Sequence, residues 1–149
     1  MHGSKGAPVW FLWVHLILNG LMVLPFGGLL ERKRGSRQVL IAFVTATALS
    51  SIVFHLLTQG QDIQATGISA VGYAFVTGGV LLQPNMWKEY SLFVKLFYLF
   101  LIFLSGLMLL PAITGWLSTW LHLSGIASYL LVFFGSKSLK KAPTNEAGS

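Results

Sequence analysis

The apolar residues of this chain fall into five long stretches separated by short polar segments. The separating segments, ERKRGSRQ, TQGQDIQATG, QPNMWKEY and TGWLST, are rich in glycine, proline, amide or charged residues, which favour turns. Membrane-spanning helices need about 20 mostly apolar residues. The pattern therefore predicts an all-α membrane protein with a bundle of five transmembrane helices, over residues 9–30, 38–58, 68–83, 91–113 and 117–135.

The composition supports a membrane protein and excludes thiol chemistry. Of the 149 residues, 54% are hydrophobic and 9% are charged, and the mean hydropathy is +0.72, which is too apolar for a water-soluble domain of this size. The chain has no cysteine, so disulfides, thiolate metal ligands and thiol nucleophiles are ruled out. The net charge of +6 could suit nucleic acid, but its clustering in one turn and the C-terminal tail is better explained by membrane topology.

The positions of the basic residues predict the orientation in the membrane, because positively charged loops stay cytoplasmic. Basic residues follow the first, third and fifth predicted helices, whereas the other side carries few charges. We therefore expect the N-terminus outside and the C-terminus inside, in the cytoplasmic (inner) membrane. Residues 1–136 form the predicted transmembrane domain, and residues 137–149 form a polar tail that we expect to be disordered. The basic residues concerned are Arg32, Lys33, Arg34, Arg37, Lys88, Lys137, Lys140 and Lys141.

Three polar residues are predicted to lie at one depth in the bilayer. His15, Ser69 and His122 each fall within the first two turns of a helix that starts on the outer side. Asn19 follows His15 by four residues and Tyr73 follows Ser69 by four, so each pair shares one helix face. Ionisable and polar groups inside a membrane are costly and often mark a functional site.

Each of these residues also has a structural interpretation. His15 and Asn19 could form hydrogen bonds that hold helices together, and Ser69 could serve close helix packing. His122 could be a buried, hydrogen-bonded histidine. A further alternative is a b-type haem protein that uses two of His15, His55 and His122 as axial ligands, which a Soret band would reveal.

Taken in order, these segments resemble the rhomboid intramembrane serine proteases. HLILNGLMVLPFGGLLERKRGS is similar to the family's H-x-x-x-N helix with its glycine pair and E-K/R-x-x-G-S loop. GISAVGY is similar to the family's G-x-S-G-x-x-Y/F, and HLSG to the A-H-x-x-G of its last helix. The resemblance extends over about residues 10 to 135. Each motif is common by chance, and their occurrence in this order is what makes the resemblance specific.

The resemblance implies an intramembrane serine endopeptidase that cleaves transmembrane substrates without a metal or other cofactor. Ser69 would be the nucleophile and His122 its general base, because a serine hydroxyl is weakly nucleophilic until a base accepts its proton. His15 and Asn19, with the backbone N–H of Ser69, would form the oxyanion hole. The supporting residues implied by the family pattern are Gly67, Tyr73, which would pack against His122, and Gly125.

The chain also departs from the family pattern. Ala70 follows the serine where the family has glycine, and Tyr129 stands at the second glycine of the last helix. Rhomboids ordinarily carry another helix and a membrane loop before the H-x-x-x-N helix, whereas about eight residues precede it here. We therefore expect exposed apolar surface, with a partner chain or a second copy against the first or second helix, besides membrane lipid. The alternative function is an inactive rhomboid-like protein that binds or helps assemble transmembrane partners.

Overall fold

The computed structural model describes residues 9–59, 68–82 and 89–141, and these residues are helical apart from short connections. The prediction of an all-α protein is thus confirmed. Six helices follow one another in the described part of the chain. They are α1 (Val9–Arg34), α2 (Ser36–Thr58), α3 (Ile68–Leu82), α4 (Leu92–Leu107), α5 (Pro111–Thr114) and α6 (Trp116–Lys141).

Three of the described helices are long and apolar enough to cross a membrane. Their spans are Trp13–Arg34, Ser36–Thr58 and Trp116–Ser136, with 22, 23 and 21 residues. α3 and α4 are apolar but shorter, with 15 and 16 residues. Length and composition therefore support three spans among the described residues, two fewer than the five that the sequence predicts.

The fourth predicted helix, 91–113, is divided in the structure. α4 ends at Leu107, and α5 begins at Pro111. A proline lacks the N–H that would continue the hydrogen-bond ladder, and it fits best at the first position of a new helix. Near the C-terminus, α6 continues to Lys141, past residue 137, where the polar tail is predicted to start.

A single residue, Gly35, connects α1 to α2. Its φ of +83° and ψ of +158° lie in a region that is essentially restricted to glycine. The Gly35 N–H donates to the Glu31 carbonyl at 2.8 Å, and the Ser36 hydroxyl donates to the Glu31 carboxylate at 2.7 Å. α1 and α2 therefore form a tight antiparallel hairpin.

α1 and α3 run in the same direction, as their contacts show. A Cβ added to Gly72 would lie 3.4 Å from the Met22 side chain, and further along both helices Gly79 lies against Phe26. α3 is buried on nearly all sides between residues 69 and 79, so it is the central helix of the bundle. The hydrophobic core surrounds it and includes Phe26 and Leu30 of α1, both fully buried.

α6 also runs parallel to α3. Gly125 lies against the backbone of Ala70, and further along Gly78 lies against the ring of Tyr129. Tyr129 is only 1% exposed, so the large side chain that replaces a family glycine is accommodated by a glycine on the facing helix. The close packing of α3 and α6 is therefore kept despite the substitution.

Charged contacts gather at the C-terminal ends of these three parallel helices. Lys33 Nζ lies 3.0 Å from a carboxylate oxygen of Glu89, which precedes α4. The Arg34 guanidinium lies 5.7 Å from the centre of the Phe133 ring in α6. These contacts bring the α1–α2 turn, the start of α4 and the last part of α6 to one end of the bundle. The polar residues singled out in the sequence lie near the other end.

Candidate active site

The first half of α1 contributes His15 and Asn19, one turn apart. His15 is partly exposed, whereas Asn19 is 4% exposed. The side-chain Nδ2 of Asn19 is buried and makes no hydrogen bond within the described part of the protein. Burying a donor without a partner costs about 1–3 kcal/mol, so this amide is an unusual feature of the fold.

The start of α3 places Ser69 at the level of Asn19. Met22 and Gly72 face each other where α1 and α3 run in parallel, and Asn19 and Ser69 each precede that contact by three residues. Ser69 is buried and is the second residue of α3. Its N–H belongs to the first helical turn, where N–H groups have no acceptor within the helix. The buried side-chain amide of Asn19 and the first turn of α3 therefore lie at the same height along the bundle.

His122 of α6 is fixed from two directions. Its imidazole, in a side chain 5% exposed, stacks on the ring of Tyr73 with centroids 4.2 Å apart and planes 21° apart. Its Nδ1 lies 3.1 Å from the backbone carbonyl oxygen of Met108, just after α4. The Tyr73 hydroxyl in turn donates to the Ser105 carbonyl at 2.7 Å, within the buried interior. The ring thus has one face covered and one nitrogen hydrogen-bonded.

The closest approach of α3 and α6 lies beside these residues. A Cβ added to Gly125 would overlap the Ala70 carbonyl group. Ser69 is the neighbour of Ala70, and His122 precedes Gly125 by three residues, on the same side of its helix. Backbone contact at this crossing therefore brings the two helices together next to the serine and the histidine.

The structure brings the predicted residues to one end of the bundle without joining all of them. Among the hydrogen bonds of the described residues, none links Ser69 to His122. Gly67 lies outside the described residues. Across the described ranges, no group of three or more His, Cys, Asp or Glu side chains could hold a metal ion.

Sequence reasoning did not identify the two carbonyl groups on the α4 side of the site. Ser105 and Met108 contribute through their backbones, and a backbone carbonyl has no residue-type signal. The one available signal was Pro111, because a helix that ends before a proline leaves its last carbonyls without donors from its own helix. The proline indicates that backbone carbonyls near the helix end are available as acceptors, but it does not indicate which side chain donates to them.

Comparison with known proteins adds a family assignment. The family model described as the rhomboid domain matches residues 8–138. No curated protein matches the chain. No solved structure matches it either.

Proposed function

Since the chain belongs to the rhomboid family, we propose that it is an intramembrane serine protease that cleaves transmembrane protein substrates. Ser69 is the nucleophile in this proposal and His122 is the general base. The family match and the apolar helices show that the chain is a rhomboid-like membrane protein. The chemistry goes beyond that match and rests on the residues themselves.

The observation that carries the proposal is the unpaired amide of Asn19. A buried donor without a partner destabilises the resting protein. During peptide-bond hydrolysis, however, such a donor can stabilise the reacting carbonyl oxygen. When a nucleophile adds to a peptide carbonyl, negative charge develops on the oxygen, and donors fixed in advance stabilise that charge. Asn19 lies at the level of Ser69, whose own N–H is a second donor at the start of α3.

The reaction proceeds in two halves. The Ser69 oxygen bonds to the scissile carbonyl carbon while His122 accepts the hydroxyl proton. The carbon–nitrogen bond then breaks as His122 gives that proton to the leaving amine, which leaves an acyl ester on Ser69. Water hydrolyses the ester in a second round that uses the same base. Asn19 and His15 donate to the oxyanion, and removal of one such donor typically costs ~10²–10³ in rate.

The proposal includes the membrane arrangement. α3 and α4 also cross the bilayer, although at about 1.5 Å per residue they are shorter than a ~30 Å hydrocarbon core. The N-terminus lies outside and the C-terminus in the cytoplasm, because the basic residues gather at the C-terminal ends of α1, α3 and α6. Cleavage then takes place near the outer face of the cytoplasmic membrane.

A serine-directed fluorophosphonate probe tests the chemistry. We expect the purified protein to be labelled, Ser69→Ala to abolish labelling, and His122→Ala to reduce both labelling and cleavage of a model transmembrane substrate by at least ~10²-fold. Ser50→Ala is the matched control, since Ser50 is a buried serine of α2 whose hydroxyl donates to the Thr47 carbonyl. That variant should keep full labelling.

The outcome also separates the two functions expected from the sequence. A wild-type protein that folds, yet neither reacts with the probe nor cleaves substrate, is not a protease. The alternative, a rhomboid-like protein that binds or helps assemble transmembrane partners, then takes its place.

A further inference from the structure

The end of α4 is closed by side chains from the following segment. The last carbonyls of a helix lack donors from their own helix. Here the Thr114 hydroxyl and His122 Nδ1 both lie 3.1 Å from the Met108 carbonyl oxygen. The Thr119 hydroxyl lies 3.3 Å from the neighbouring Leu109 carbonyl oxygen. Thr114 and Thr119 each contribute a hydroxyl to this end. His122 contributes Nδ1, and its second ring nitrogen, Nε2, remains available to act as a base.

We propose that the Met108 carbonyl is the positioning group that sets the tautomer of His122. A carbonyl oxygen only accepts hydrogen bonds, so His122 Nδ1 must carry the proton in this contact. A neutral imidazole has a single N–H, and Nε2 is therefore left with a free lone pair. Under the proposed function, on which the catalytic meaning of this inference rests, that lone pair accepts the proton of Ser69.

α4 also fixes the orientation of the imidazole. Tyr73 stacks on His122 and donates its hydroxyl to the Ser105 carbonyl, which lies three residues before Met108. Two carbonyls about one helical turn apart therefore hold the two stacked rings, one ring each. The position of the α4 end determines both the plane of the imidazole and the identity of its protonated nitrogen.

The backbone carbonyl does here what a carboxylate does in a serine protease triad. A triad carboxylate holds the imidazole in the correct tautomer and stabilises the imidazolium. A buried carboxylate, however, brings a charge into the low-dielectric interior at a large desolvation cost. The acidic residues of the described ranges, Glu31 and Glu89, belong to the opposite end of the bundle. A neutral acceptor meets the orienting requirement without burying a charge.

The tautomer itself is measurable without any activity. In protein labelled with ¹⁵N-histidine, with His122 assigned from a His122→Gln spectrum, we expect neutral His122 to show a pyrrole-type Nδ1 and a pyridine-type Nε2. The reverse pattern, with the proton on Nε2, would overturn the proposal. Because this readout needs no substrate, it stands even if the chain turns out not to cleave peptides.

A backbone ester tests the role of the carbonyl. Replacing Leu109 with its α-hydroxy acid turns the Met108 carbonyl into a weaker ester acceptor and removes the Leu109 N–H that donates to Gly106. The same replacement at Leu110 is the matched control: it removes an equivalent N–H bond, to Leu107, but weakens the Leu109 carbonyl instead. The two variants therefore differ in which carbonyl is weakened.

We expect the ester at 109 to lower kcat about 2- to 10-fold with KM unchanged, the range of one neutral hydrogen bond. It should also raise the fraction of the Nε2–H tautomer in the NMR spectrum. The ester at 110 should leave both readouts close to wild type. Equal effects of the two esters would show a merely structural role for this turn, and no change in the tautomer at 109 would overturn the proposal.

Discussion

Gly125 is the residue at which α6 meets the backbone of α3. Its replacement by alanine would drive a methyl group into the Ala70 carbonyl, and no side-chain rotation can relieve a contact with backbone. The helices must separate, which for overpacking typically costs about 1–3 kcal/mol. We therefore expect Gly125→Ala to lower the free energy of unfolding in an SDS titration and, by moving His122 away from Ser69, to slow fluorophosphonate labelling.

Gly135 provides the control for that substitution. It lies on the same helix, and an added Cβ would meet nothing within 4 Å. Gly135→Ala should leave labelling unchanged and keep or slightly raise stability, since alanine favours helix more than glycine does. If the two variants behaved alike, close packing at Ala70 would not be what positions the site.

At the residue level, the sequence predicts which side chains share a helix face better than it predicts the groups that they contact. Spacing alone placed His15 with Asn19 and Ser69 with Tyr73, because residues four apart share a helix face. It did not reveal the Met108 carbonyl, since backbone acceptors depend on where a helix ends. It also did not show that Gly78 of α3 makes room for the Tyr129 ring of α6, because the contact depends on how the two helices pack.

At the level of helices, the α1–α2 connection makes the most specific prediction. Gly35 adopts φ +83° and ψ +158°, a conformation that costs other residues about 1–3 kcal/mol. We expect Gly35→Ala to destabilise the protein by about that amount, as measured by SDS unfolding, although the added Cβ would have open space.

Gly28 is a suitable comparison for Gly35. It lies inside α1, and a Cβ there would also meet nothing within 4 Å. Gly28→Ala should therefore be neutral or slightly stabilising. A loss of stability at Gly28 equal to that at Gly35 would argue against backbone strain as the cause.

The helix bounds were predicted well where polar segments interrupt the apolar pattern. The predicted ranges 38–58 and 68–83 differ from α2 and α3 by two residues at most. The range 91–113 failed at its end because apolar residues continue through the turn before Pro111. Hydropathy records where a segment is apolar, whereas the end of a helix depends on the backbone donors that remain.

For the whole molecule, the arrangement of the helices leads to a prediction about topology. α2 is long enough to cross the membrane and runs antiparallel to α1. Arg37 and His55, both exposed, lie near its opposite ends. We expect cysteines at these two positions to react with a membrane-impermeant maleimide from opposite sides, with residue 37 accessible from the cytoplasm. Labelling of both from one side would contradict the proposed orientation and the depth of the site.

The outer surface of the bundle does not test the partner chain that the sequence predicts against the first or second helix. Large apolar side chains of α1 and α2, such as Trp13, Leu24 and Leu40, are exposed. Lipid tails and a partner helix are equally apolar neighbours for such a face. The partner chain or second copy expected from the sequence therefore stays a prediction.

The distribution of the site over α1, α3 and α6 has a consequence for the timing of synthesis. The hairpin of α1 and α2, which carries Asn19, leaves the ribosome before α3, and the serine arrives only with α3. The histidine follows with α6, which starts at Trp116. A nascent chain, or one cut short before α6, lacks the proposed base and cannot cleave its neighbours. Under the proposed function, proteolytic activity begins only after α6 has been made.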